Sequence, residues 1–225
     1  MPRPARHTFA SECYHVLNRA NRKAVVFHET SDYLAFMHLI AKAQLRLEIP
    51  LLAICLMPNH VHLVVRPNGD GDIPRWMQWL FTTHASHYHR KHGTTGHVWQ
   101  GRYKHFPVQG DHHLLTLIRY VERNALRANL VKRAEEWRWG SLHWRIREQN
   151  VVVLSASPTP LPSAWIEFVN QPQSAAELQA IRTSVNRQRP FGDQDWVARA
   201  ARSSELKQSL FDVGRPRRSR SGTIC

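Results

Sequence analysis

Apolar positions along the chain follow two periods. Residues 51–67 read LLAICLMPNHVHLVVRP, two apolar runs joined by Pro58-Asn59. Proline presets φ for a turn and asparagine tolerates its awkward second position, so the stretch predicts an antiparallel hairpin. Side chains on a strand alternate between faces, which puts His60 and His62 together on one face and Val61, Leu63 and Val65 on the other. Further strands are expected over 13–19 (CYHVLNR) and 105–109. Helical spacing governs the intervals. Thr30 or Ser31 caps a helix to about residue 48, with Tyr33, Phe36, Met37 and Ile40 inward, and it stops before Pro50. A second helix covers 73–92, with Trp76, Trp79, Leu80 and Thr83 along one side. Asp111 caps a third, expected to run to residue 131. The order β-α-β-β-α-β-α predicts an α+β fold, a ferredoxin-like split βαβ sandwich with an antiparallel sheet and one added C-terminal helix.

Composition divides the chain. Residues 1–150 form the compact domain, closed by Trp137, Trp139 and Trp144 packing back on the sheet. Residues 151–174, which include SASPTPLP at 155–162, read as a linker. Residues 175–225 read as a basic helical extension, with helices over 175–186 and 195–210 and a tail in which Arg215 and Arg217 offer nonspecific phosphate contacts.

Charge narrows the function. Of 225 residues, 31 are Lys or Arg and 17 Asp or Glu, a formal net charge of +14. Such an excess attracts polyanions through counterion release, and the eight tryptophans add flat faces on which unpaired bases can stack. Three cysteines with no paired spacing, a start without an apolar signal core, and the lack of a membrane-length apolar run point to a cytoplasmic protein with no membrane partner.

The candidate chemistry lies in three places. His60 and His62 can chelate one cation if a third ligand arrives from another element, although in a chain with 15 histidines the pair is also compatible with a wet strand face. The loop GTTGHVWQGRYK at 93–104 can lay its backbone, Arg102 and Lys104 against phosphates while the aromatic pair Trp99 and Tyr103 meets bases; alternatively Trp99 anchors an ordinary surface loop. On the third helix Leu114, Leu115, Ile118, Val121 and Ala125 make the apolar face, and His113, Thr116, Tyr120, Asn124 and Arg127 gather opposite. Tyr120 and Asn124 are one turn apart. If that face covers the sheet surface bearing His60 and His62, Asn124 completes a three-ligand site and Tyr120 stands beside it. A phenol activated in this way can attack a phosphodiester, and the resulting 5′-phosphotyrosine keeps the bond energy for rejoining. Tyr88, amid His84, His87 and His89, is a rival nucleophile with no amide one turn beyond it.

Three blocks, MPNHVH at 57–62, GHVWQGR at 96–102 and RYVERN at 119–124, together resemble the REP-associated tyrosine transposases of the HUH single-tyrosine superfamily. The resemblance spans residues 13–144. It implies a ferredoxin-like catalytic domain, Mg²⁺ or Mn²⁺ dependence, and cleavage and rejoining of single-stranded DNA near hairpins of repetitive extragenic palindromes. It also implies His60 and His62 as the paired metal histidines, Tyr120 as nucleophile and Asn124 as the polar ligand one turn on. Ala20 and Ala125 depart from the family's usual Gly and Pro. Relatives include monomers and homodimers. Two competing readings use the same residues, a non-catalytic binder of structured DNA and a zinc hydrolase with water as nucleophile.

Overall fold

The computed structural model describes residues 8–147, 151–203 and 206–211. Four strands, β1 (Cys13–Arg19), β2 (Leu51–Met57), β3 (His60–Val65) and β4 (Lys104–Val108), form one antiparallel sheet in the order β2-β3-β1-β4. Helices α1 (Thr30–Arg46) and α2 (Asp72–His92) are the crossovers of the ferredoxin-like split βαβ arrangement. They pack on the sheet face that carries Val16, Ile54, Leu56, Val61, Leu63 and Val65, all essentially inaccessible to water. Burying each such side chain stabilises the fold by about 1.5–3 kcal/mol, which fixes the strand register.

The opposite face is covered by α3 (His112–Glu122) and its continuation α4 (Asn124–Arg127). One end of this face is apolar, with Cys13, Ala53, Val64, Phe106 and Val108 under Leu114, Leu117, Ile118 and Val121. At the other end the register sets His62 opposite both Leu17 and Cys55, and His60 opposite both Arg19 and Met57. The hairpin turn that ends there is tied down. Pro58 O accepts from the Val26 and Phe27 amides at 2.8 and 3.1 Å, Asn59 O accepts from the Ala20 amide at 2.8 Å, and Asn59 Nδ2 donates to Lys23 O at 3.1 Å.

The third helix is shorter than its apolar period suggests. A turn at Arg123 separates α3 from α4, and the helix ends at Arg127 rather than 131. Asn129 adopts a left-handed φ of 57°, its amide donates to Leu126 O and the Leu130 amide to Ala125 O, each at 3.0 Å. This is the paired-bond termination that asparagine, after glycine, best tolerates.

Both sheet edges are covered. Along β2, the Leu56 amide donates to Trp139 O, the Ile54 amide to Ser141 Oγ, and Trp137 Nε1 to Leu56 O, at 2.9, 3.0 and 2.9 Å. Trp139 also stacks on Tyr33 with centroids 4.6 Å apart. Along β4, the Phe191 amide donates to Pro107 O at 3.0 Å. Covered edges remove a template for unwanted strand pairing.

Beyond α5 (Ser141–Ile146), the stretch read from composition as a linker contains α6 (Trp165–Asn170), with Trp165 and Val169 buried against α3. Glu122, with a side chain 0% exposed, accepts from Ser141 Oγ, Arg145 Nε and Trp165 Nε1 at 2.7, 2.9 and 2.7 Å, joining α3, α5 and α6. Arg119 and Arg123 donate to carbonyls of Gln171 and Pro172 and of Val169 and Asn170 respectively. Helices α7 (Ala175–Arg187) and α8 (Gln194–Ser203) follow. Among the described residues α8 extends to Ser203, whose hydroxyl donates to Arg199 O and Ala200 O, and Lys207–Leu210 form a 3₁₀ turn rather than α-helix. Arg215 and Arg217 lie outside the described residues.

Candidate active site

At the polar end of the α3 face, His60 and His62 stand with ring centroids 5.0 Å apart. Each has one nitrogen committed. Asn59 Oδ1 accepts from His60 Nδ1 at 2.6 Å, and His62 Nδ1 lies 2.9 Å from Nε2 of His15, a buried β1 histidine whose ring stacks at 5.1 Å. Asn59 Oδ1 can only accept, so neutral His60 is protonated on Nδ1 and keeps its Nε2 lone pair; His62 does the same in the tautomer in which its Nδ1 donates to His15 Nε2. A protein partner on one ring nitrogen and an open second nitrogen is the arrangement that orients histidine for metal. Burial holds all three rings neutral. It lowers His60 to about 4 and His15 to about 3, while His62 falls well below the ordinary value, with neighbouring His60 and His15 and the cations Arg127 and Arg19 adding to the effect of burial. Neutral imidazole is the form that binds a metal ion.

The helix brings the remaining groups to the same place. Tyr120 is 8% exposed, and its ring lies edge-on to His62 with centroids 6.0 Å apart. Arg127 is its companion: the guanidinium sits 3.9 Å from the Tyr120 ring centroid, donates to Tyr120 O at 3.2 Å, and donates to Asn124 Oδ1 at 2.7 Å. Buried Asn124 has no partner on Nδ2, so one polar atom of the cluster is unsatisfied. A carboxamide oxygen has two lone pairs and can accept from Arg127 while ligating a cation. Two imidazole nitrogens and one amide oxygen are ligand types that suit a divalent ion with further positions left for water or substrate, while the orphaned Asn124 N–H is a hydrogen-bond donor and not a ligand.

Other sequence candidates fall elsewhere. Trp99 is an anchor of the core, 6% exposed, with its ring 4.7 Å from Phe81 and its Nε1–H donated to His84 Nδ1 at 3.2 Å. That enclosure corrects its assignment as a platform for bases. Tyr103 is likewise buried in the α1/α2 core, 7% exposed, which removes an exposed stacking role. Arg102 and Lys104 remain on the surface, and Lys104, opposite Leu17 in the row of His62, also reaches Val185 O at 3.4 Å. Tyr88 belongs to the other face of the sheet, packed 4.4 Å from His92 and 3.3 Å from His28 Nε2.

His15 and Asn59, which orient the two histidines, escaped the sequence reading. Alternation in β1 places His15, Leu17 and Arg19 on one face, but only the β1–β3 pairing shows that this face is shared with His62. Asp111, His112 and His113 also bring potential ligand atoms within 4.8 Å of one another, at the N-terminus of α3. Eight residues of helix, about 12 Å, separate His112 from Tyr120. Asp111 Oδ1 is committed to the amide and ring of His113, both at 2.8 Å, so this group caps the helix.

A four-stranded sheet of this order, crossed on its histidine-bearing face by a tyrosine-bearing helix, has the fold of a tyrosine transposase. A solved REP-associated tyrosine transposase bound to a REP hairpin aligns with TM-score 0.55 and 17% identity over 70% of this chain and 93% of that one. The chain belongs to the IS200-like transposases, whose family model matches residues 8–124, more than half its length. A Deinococcus radiodurans R1 protein described as a transposase is similar at 18% identity and TM-score 0.38, over 54% of this chain and 97% of that one. No curated protein matches the sequence. Among the described residues no helix is long and apolar enough to cross a membrane.

Proposed function

We propose that the protein cleaves and rejoins single-stranded DNA beside a hairpin, through a 5′-phosphotyrosine on Tyr120. The observation that carries this reading is the convergence of His60 and His62, each with an open Nε2, with the Tyr120 ring 6.0 Å from His62. His60, His62 and Asn124 would hold a Mg²⁺ or Mn²⁺ ion, which would supply Lewis-acid stabilisation to the scissile phosphodiester. Asn59 Oδ1 makes Nδ1 the donor in His60, and His15 holds the His62 ring through its Nδ1, leaving both Nε2 atoms facing away from these partners. Tyr120 Oη loses its proton to solvent and bonds to phosphorus; the P–O3′ bond breaks, and the 3′ oxygen takes up a proton. Arg127, already against the tyrosine ring, balances the negative charge that the phosphate brings to the helix. Attack by another 3′-hydroxyl reverses these steps, so no nucleotide cofactor is needed.

The hairpin partner is supported by the relative solved with a REP hairpin and by the formal charge of +14. End-labelled hairpin DNA with single-stranded flanks, incubated with Mn²⁺, should give a cleaved strand and, with a second oligonucleotide, a rejoined product. Tyr120→Phe should give neither. Tight binding with no cleavage by the wild type under any divalent metal would favour a non-catalytic binder. Cleavage undiminished in Tyr120→Phe would favour water as nucleophile.

A further inference from the structure

On the sheet face away from the histidine pair, α1 and α2 enclose a cavity of about 220 Å³. Each helix lends three residues at the spacing that sets side chains on one face: Ala43, Arg46 and Leu47 from the end of α1 and its cap, and Arg75, Trp76 and Trp79 from the first turns of α2. A small residue, Ala43, facing two tryptophans leaves the gap. Trp79 is half-buried, and the Arg46 guanidinium lies 5.1 Å from its ring centroid. Arg75, with a side chain 68% exposed, donates from Nη2 to Asp72 Oδ1 at 2.5 Å. That bond orients the guanidinium while engaging one of its nitrogens, so two cations stand at one opening. Trp76 is 3% exposed, and its Nε1–H has no acceptor among the described residues. A buried donor without a partner is costly, and this one belongs to a wall of the cavity.

These groups define an occupant. Two guanidiniums and an orphaned N–H call for an anionic acceptor, and Ala43, Leu47 and the Trp79 ring call for an apolar body beside it. The volume is below the range of about 300–1,000 Å³ usual for drug-sized ligands, and it holds a group the size of one large side chain. A sugar–phosphate backbone supplies anions but no apolar body of that kind. We propose that the cavity binds a carboxylate carried on a compact apolar group. The apolar group lies against Leu47 and the Trp79 ring, and the carboxylate lies between Arg46 and Arg75 with one oxygen accepting from Trp76 Nε1. A small free acid has this chemistry, and so does an apolar residue at the end of a protein chain. The site uses none of the groups assigned to strand cleavage and does not depend on that reading.

The test uses the full chain labelled with nitrogen-15, in EDTA. The indole N–H signal of Trp76, assigned by its absence from Trp76→Phe, is followed by NMR as N-acetylphenylalanine or its amide is added. The acid should move the signal downfield and saturate, as expected of an indole that gains an acceptor. The amide should bind about tenfold more weakly or worse, the scale of one charge-assisted hydrogen bond. Arg46→Gln and Arg75→Gln should each weaken the acid by about the same factor with unchanged melting temperatures. Arg90→Gln, about 22 Å along α2 from Arg75, should leave it unchanged, which separates the cavity from general attraction to a basic protein. A short peptide ending in phenylalanine with a free carboxylate distinguishes the sources. Binding more than about tenfold tighter than the acid assigns a chain terminus, and parity assigns a free acid. An unmoved Trp76 signal, equal binding of acid and amide, or indifference to both arginine substitutions overturns the proposal. Displacement of the acid by hairpin DNA also overturns it, since the two cations would then belong to the nucleic acid.

Discussion

Two regions of the molecule bury histidine, and they use it differently. On the α1/α2 side, His84 is 2% exposed, ringed by Phe36 at 4.9 Å, Trp99 at 5.2 Å and Phe27 at 5.6 Å, and burial lowers it to about 3. On the α3 side, His15 and His62 are also buried and also held neutral. Suppressed protonation is therefore common to both and marks neither as a site. The contrast is in the neighbours. His84 accepts an indole N–H inside an aromatic cage, whereas His60 and His62 have Nδ1 tied and stand beside a tyrosine, an arginine and an amide with an unsatisfied N–H. One histidine fills a core, and the others are the ligands we propose for the metal ion.

Exchanging the lesions breaks this comparison most sharply. His60→Ala should abolish tight Mn²⁺ binding and lower strand cleavage about a thousandfold, with little change in melting temperature, as measured by titration calorimetry, product formation and thermal melts. EDTA should reproduce the activity loss in the wild type. His84→Ala should do the reverse, retaining Mn²⁺ binding while destabilising the fold by about 2–4 kcal/mol in urea titrations, through a cavity and an unpaired Trp99 N–H. Equal effects of the two substitutions on metal binding would remove the distinction.

Acid sharpens it next. An imidazole in the unfolded chain titrates near 6.5, and His84 in the folded protein near 3. Below pH 6.5 the unfolded chain takes up a proton that the folded one refuses, so this residue's contribution is full above that pH and falls progressively toward pH 3. The loss approaches about 1.4 kcal/mol per pH unit for one such group. His84→Gln, which can still accept from Trp99, should flatten the fall in stability between pH 6.5 and 4, measured by urea titration at each pH. The smallest effect is expected at the rim. Lys104→Ala should lower the salt dependence of binding to single-stranded DNA by about 0.7 in the log–log slope, one phosphate contact, with the apparent Mn²⁺ affinity unchanged.

Sequence pattern and structure agree where periodicity is local. The hairpin was legible because Pro58-Asn59 divides two strongly apolar strands, and β1 matches its apolar run end to end. Tyr120, Asn124 and Arg127 share a helix face at a spacing any helix imposes. The partner of His62 was not legible, because β1 and β3 are 47 residues apart at the His15–His62 contact and no local rule states their register. Trp99 misled for a related reason: a Gly-rich loop looks exposed, but its indole is enclosed by α1, α2 and Phe27, which converge only in three dimensions. Asn129 carried a readable stop for the third helix, overridden in the sequence reading by the apolar period on either side. At 165–170, Pro and Ser nearby outweighed Trp165 and Val169, four apart and both buried in α6.

The central claim is that DNA becomes joined to the helix lying over the histidine pair. Digesting the denatured Mn²⁺-treated complex with hairpin DNA and sequencing the nucleotide-bearing peptide by mass spectrometry tests it most directly. The account predicts a phosphodiester remnant on Tyr120; a remnant on Tyr88, on the far side of the sheet, would contradict it.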